Sequence, residues 1–190
     1  MRLRLALAGI AAGTTLLAGC TGDDASADPS PDETSSSSEP AEETTEPDVD
    51  APELPEAATE QSEAGAEAFV RYYIDALNHA QATGDSGLLA QLSGEECLGC
   101  LGFVEAVDEV YAGSGSVDGG TYAIERIRPL PLDYGADWGG YVEMTTAPQT
   151  IRLDDGTVEE YEGGPYRIGA YPSWAGDSWE MTWLALPTES

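Results

Sequence analysis

Apolar residues in the middle of this chain recur first every three to four positions and then every second one. Phe69, Tyr72, Tyr73, Ala76, Leu77 and Ala80 fall at i, i+3, i+4, i+7, i+8 and i+11, the period of an amphipathic helix burying one face. Gly84 ends that helix, and Asp85 is placed to cap a short second one running to about Leu92. Ser93-Gly94-Glu95-Glu96 has the spacing of a capping box. A third helix is predicted to follow through Tyr111, burying Leu101, Val104, Val107, Val110 and Tyr111 and ending at Gly113. Beyond it the period drops to two. Strands are predicted at 121–128, 138–146, 150–153, 157–161, 166–174 and 178–186, with Asp154-Asp155-Gly156 as a hairpin turn and Gly176-Asp177 joining the last two. Helices first and antiparallel strands afterwards predict an α+β domain. It should hold three N-terminal helices packed on a curved antiparallel sheet of about five to six strands.

The first 60 residues obey neither period. Residues 1–19 pair a basic start, Arg2 and Arg4, with an apolar stretch from Leu5 to Ala18 that is too short to span a bilayer comfortably. They read as a secretory signal. It ends in Leu17-Ala18-Gly19-Cys20, which resembles the bacterial lipobox. That resemblance implies a diacylglycerol thioether on Cys20 and cleavage before it, with the two-chain anchoring that holds a protein stably on a membrane. Residues 21–60 carry 14 Asp/Glu, 11 Ser/Thr, 6 Pro and no base, with Val49 and Leu54 their only large apolar side chains. Such a segment cannot offset the entropy of ordering, so 20–60 reads as a lipidated Cys plus a disordered, acidic linker before a domain at 61–190. Forty residues reach roughly 35 Å as a coil and at most roughly 130–145 Å when stretched.

Charge narrows the partners. The chain has 36 acidic residues, seven Arg and no Lys, for a formal net charge of −29. A nucleic-acid partner is excluded, because phosphates must be met by cations that this chain lacks. Anionic lipid headgroups are disfavoured for the same reason, which leaves the lipid anchor as the expected link to a membrane. The expected location is the outer face of that membrane. A cell-envelope protein or a small apolar ligand is the expected partner.

The order of elements, ending in Trp179-Glu-Met-Thr-Trp183, resembles the nuclear-transport-factor-2-like cone, a fold shared by ketosteroid isomerases. The runs Gly65-Ala-Glu-Ala-Phe-Val-Arg-Tyr-Tyr73 and Ala80-Gln-Ala-Thr-Gly-Asp85, with Cys97-x-x-Cys100, resemble more specifically a family of actinobacterial lipoproteins carrying a domain of unknown function. The resemblance covers about residues 54–186. It implies a location and a fold and brings no activity with it.

Candidate chemistry is sparse. Cys97 and Cys100 are an even pair in an oxidising compartment, most simply a disulfide pinning the start of the third helix. A redox site at a helix N-terminus is the alternative, opposed by Glu95 and Glu96. A zinc site would need four ligands where two Cys and the single His79 are on offer. His79 reads as a residue flanking the core. A cone would enclose a cavity, and Tyr72, Tyr73, Trp138, Val142, Met144, Trp179, Met181 and Trp183 are the residues expected to line it. Asp75 falls on the polar side of the first helix, away from that cavity, so no catalytic residue is assigned. Asp154, Asp155, Glu159, Glu160 and Glu162 read as a solvated hairpin, since calcium loops need six to eight oxygens at set spacing. Arg126, Arg128, Arg152 and Arg167 are expected to pair with carboxylates across strands, with an anion site as the alternative. No cofactor or metal is expected. The reading is a membrane-anchored, surface-exposed binding or scaffolding module. The alternative is a cone-fold enzyme or small-molecule carrier using its internal cavity, and the two differ in whether that interior is open and polar-tipped or closed by aromatic packing.

Overall fold

The computed structural model describes residues 50–132 and 136–185. The expected lipidation site, Cys20, and the acidic segment up to Val49 lie outside the described residues. A single 3₁₀ turn, Glu56–Thr59, precedes the first helix and buries Ala58 against it, so the folded part begins before Gln61. Helix α1 (Glu63–Thr83) starts where the Ser62 side chain accepts the Gly65 N–H and ends at left-handed Gly84. It buries the predicted face and also Val70 and Ile74, because helices cover one flank and strands the other. Gly65 allows that covering. A Cβ there would lie 2.0 Å from the Glu60 carbonyl oxygen.

Helix α2 (Gly87–Gln91) follows, with Asp85 accepting the Gly87 N–H. Helix α3 (Leu98–Tyr111) does not begin at the predicted capping box. Cys97 is its N-cap, and its Sγ accepts the Cys100 N–H at 3.3 Å. Ser93 is occupied elsewhere, donating to Leu89 O and bonding the Tyr73 hydroxyl. Of the five apolar residues expected to be buried on α3, Val107 alone is buried outright; Leu101, Val104, Val110 and Tyr111 are half-buried, because α3 lies at the edge of the core.

Among the described residues seven strands follow: β1 (Ser116–Gly119), β2 (Tyr122–Pro129), β3 (Gly140–Thr146), β4 (Gln149–Arg152), β5 (Val158–Tyr161), β6 (Gly164–Ala175) and β7 (Ser178–Ala185). They pair antiparallel in the orders β1-β4-β5 and β2-β3-β6-β7. The two orders are separate sheets, a three-stranded half and a four-stranded half of the β layer, and the chain passes from one to the other at a seam. Chain β1 runs into β2 through Gly119-Gly120, β3 into β4 through Ala147-Pro148, and β5 into β6 through Gly163. Gly120 N–H to Pro148 O at 3.0 Å and Ala147 N–H to Thr121 O at 2.9 Å stitch the seam. Glycines with positive φ and a proline that cannot donate interrupt the ladders there, so two sheets with seven strands form where one curved sheet of five to six strands was expected. Asn78 docks α1 onto the sheet by bonding both backbone groups of Tyr122.

One edge of the larger half is occupied. Met181 on β7 gives its N–H to Leu92 O and accepts the Gly94 N–H, both at 2.9 Å, so the link between α2 and α3 runs beside β7 with a bridge at Ser93.

Candidate functional site

The expected lining residues do not converge on an internal cavity. Tyr73, Val142, Met144 and Met181 are fully packed against α1 and one another in a closed core. Tyr72 faces a small cleft of about 300 Å³ shared with Leu54, Phe69, Leu88 and Trp179. Trp183 is on the wrong face altogether. Reading Trp179, Met181 and Trp183 as one face assumes unbroken alternation, yet the register steps from Pro172↔Met181 to Tyr171↔Trp183, leaving Thr182 as an extra residue. Pro172 supplies no N–H for the ladder there, and the Thr182 hydroxyl donates to Tyr171 O at 2.8 Å. Past this bulge the sides exchange, so Leu184 is buried and Trp183 is 52% exposed.

What does form is a cleft of about 510 Å³ at the N-terminal end of α1. Gln61, Ser62 and Glu63 make one wall; Pro129, Leu130, Leu132, Asp137 and Trp138 from the β2–β3 connection make the other, and Trp179 of β7 completes it. The volume lies within the range of small-molecule sites. Trp179 is fixed by donating its indole N–H to Glu60 O at 3.0 Å and by edge-on packing with Trp174. Asp137 is fixed by accepting the Trp174 N–H at 2.7 Å. Trp138 differs. It is 6% exposed, yet its Nε1 is buried with no hydrogen-bond partner among the described residues. Trp138 was expected on a strand but lies just before β3, its ring over Gly140, where a Cβ would sit 2.4 Å from the ring. The site is thus a trough of mixed polar and apolar lining, with one donor unsatisfied among the described residues and two carboxylates, Glu63 and Asp137, on its walls.

The remaining candidates fall elsewhere. Cys97 and Cys100 form a disulfide, buried against the core. His79 is buried on the flank of α1, its Nδ1 without a partner among the described residues. Asp75 is exposed, its carboxyl raised by partial burial and lowered by the neighbouring Arg71. Asp154 accepts from the backbone and hydroxyl of Ser114, and Asp155 accepts the Thr157 N–H; these bonds hold both carboxyls below the usual range. Among the described residues no group of His, Cys, Asp and Glu is placed to hold a metal, and no helix is long and apolar enough to cross a membrane. Of the four Arg expected to pair across strands, Arg128 does so, with Glu143 at 3.1 Å. Arg167 instead lies over the Tyr141 ring, 5.1 Å from its centre.

Comparison with solved structures finds similarity of fold at low identity. The intermembrane space region of chloroplast protein ARC6 is 14% identical, with 68% of this chain and 99% of that one covered and a TM-score of 0.44. An uncharacterized protein with a cystatin-like fold from Caulobacter vibrioides is 9% identical, with 65% and 91% covered and a TM-score of 0.40. An NTF2-like protein with a cystatin-like fold from Novosphingobium aromaticivorans is 14% identical, with 65% and 83% covered and a TM-score of 0.35. No curated protein matches the sequence. Residues 36–182 match the model of the family of unknown function DUF6318, and the chain belongs to that family.

Proposed function

We propose that this chain is a lipoprotein anchored through Cys20 to the outer face of a bacterial membrane, and that its folded part is a binding module for a small apolar ligand. The observation that carries the binding reading is Trp138, whose buried indole N–H has no partner among the described residues beside a cleft of about 510 Å³. An unsatisfied buried donor costs about 1–3 kcal/mol, and a ligand carbonyl or hydroxyl would recover that cost. Leu130, Leu132 and Trp179 offer apolar surface for the body of such a ligand, while Glu63 and Asp137 repel an anion. The ligand is therefore neutral or cationic, largely apolar, and carries one acceptor. A carrier or isomerase working inside the fold would need room among Tyr73, Val142, Met144 and Met181, which are packed closed.

Nile red, a neutral apolar dye with a carbonyl acceptor, tests the reading. It should bind the mature protein at one site with enhanced emission. Trp138→Phe keeps most of the ring and deletes the N–H, so affinity should fall about five- to tenfold, the equivalent of about 1–1.4 kcal/mol. Leu130→Asp should abolish binding. Unchanged affinity in Trp138→Phe would show that the cleft does not use its donor and would overturn the assignment.

A further inference from the structure

Each wall of the cleft at the start of α1 carries a carboxylate. Glu63 opens α1 on one side, and Asp137 stands in the β2–β3 connection on the other. Among the described residues no Arg lines the cleft, and neither carboxylate is paired with a base. Asp137 accepts the Trp174 N–H at 2.7 Å through one oxygen, a bond that fixes the group without neutralising it. The N-terminus of α1 sets about half a positive charge against them. Two full negative charges therefore decide the sign. Two indole rings, Trp138 and Trp179, share the cleft with these carboxylates. Trp138 also brings its buried Nε1 donor, which has no partner among the described residues.

We infer that the ligand of this cleft is an organic ammonium ion, its cationic head facing Glu63 and Asp137 and a carbonyl in its body accepting from Trp138. That ligand class presupposes the binding role proposed above and adds a full positive charge to it. Unpaired carboxylates in a cleft attract a cation more strongly than they would in open water, because the walls lower the effective dielectric constant. Aromatic surface attracts organic cations through the ring quadrupole and accepts the apolar groups around the charge. A neutral ligand would use Leu130, Leu132 and the Trp138 donor, yet strip water from two carboxylates without giving them a partner. A metal ion is a poorer fit. Calcium takes about six to eight oxygens, and among the described residues no group of His, Cys, Asp and Glu is placed to hold a metal. At longer range, the formal net charge of −29 draws cations towards the molecule as a whole. The cleft is where that charge meets rings and a free donor.

Benzoylcholine is the probe, titrated calorimetrically into the mature protein beside its neutral isostere, in which a tert-butyl group replaces the trimethylammonium group. The two share an aromatic body, an ester carbonyl and a shape, and differ in one charge. The cation should bind about tenfold more tightly than the isostere, and the ratio should shrink as salt rises. Glu63→Gln and Asp137→Asn should each weaken the cation about threefold, half of that discrimination on a logarithmic scale. Together they should bring the two compounds to equal affinity. Trp138→Phe should weaken both compounds, because each carries the carbonyl. Equal affinities in the wild-type protein would overturn the ammonium assignment and leave the binding role standing. A ratio that survives the double change would also overturn it, since another group would then be reading the charge. If neither compound binds where Nile red does, the ammonium assignment fails alone; if Nile red fails too, the binding role falls with it. Calcium displacing benzoylcholine at micromolar concentration would hand the carboxylates to a metal instead.

Discussion

Tyr73 shows how one side chain couples the core to solution conditions. It is fully buried, and its hydroxyl bonds Ser93, which in turn donates to Leu89 O; Tyr73 is therefore the donor. Burial pushes its phenol up to about 12. A folded-state value above the unfolded one contributes stability that is complete below about pH 10 and is lost as pH rises through about 12. About two pKa units correspond to about 3 kcal/mol. Denaturant midpoints should fall steeply above about pH 10, and Tyr73→Phe should flatten much of that fall. At neutral pH the same change should cost about 1 kcal/mol for the lost hydrogen bond. Tyr122, also pushed up to about 12 by burial and by Tyr166, adds to the slope, as do Tyr72 and Tyr166, both raised by burial. An equally steep fall in Tyr73→Phe would refute the assignment. Periodicity in the sequence places Tyr73 in the core, but nothing there announces Asn78, whose pairing with the Tyr122 backbone spans 44 positions. Side chain to backbone bonds of that range leave no local pattern to read.

Among elements, the helices were more legible than the strands. The face of α1, its stop at Gly84 and the Asp-Gly hairpin turn follow from local chemistry, and the structure has them. Ser116–Gly119 forms β1 although Ser-Val-Asp-Gly has the composition of a turn; pairing with β4 overrides that preference. Likewise, a bulge at Thr182 depends on a proline in the neighbouring strand, so Trp183 and Leu184 exchange faces without any sign in their own segment. Gly65 falls between these cases: its place in a recognisable motif was visible, and its reason was not. It lets the turn at 56–59 lie directly on α1, with the Glu60 oxygen where a Cβ would be. Gly65→Ala should therefore destabilise by about 1–3 kcal/mol, the range for overpacking, despite the higher helix propensity of Ala. Because Trp179 bonds Glu60 O, its fluorescence should shift as well. A stability equal to wild type in chemical denaturation would contradict this packing.

For the whole chain, the sequence raises an expected address and no activity. A signal-like start, Cys20 and an acidic run beyond it are local features, readable without a fold. The cleft at the start of α1 was not readable. Its walls come from residues 61–63, 129, 130, 132, 137–139 and 179, brought together only by the fold. Two of its residues, Trp138 and Trp179, were expected to line a cavity, but the cavity was expected inside. The anchoring proposal has its own test at this scale. Labelled palmitate should enter the wild-type chain and not Cys20→Ala, which should accumulate as a precursor of higher mass. Normal maturation and unchanged membrane partitioning of that variant would refute lipidation.

The link between α2 and α3 occupies the backbone groups of Met181 on β7, at the outer edge of the larger half of the sheet. A bare strand edge is a template on which other chains assemble, the first step of aggregation. At the end of that link, Cys97 and Cys100 close their covalent loop and hold the chain where it leaves the edge. The bridge thus acts as a guard on colloidal behaviour as much as a brace for one helix. Solubility of the folded state is the property such a guard preserves.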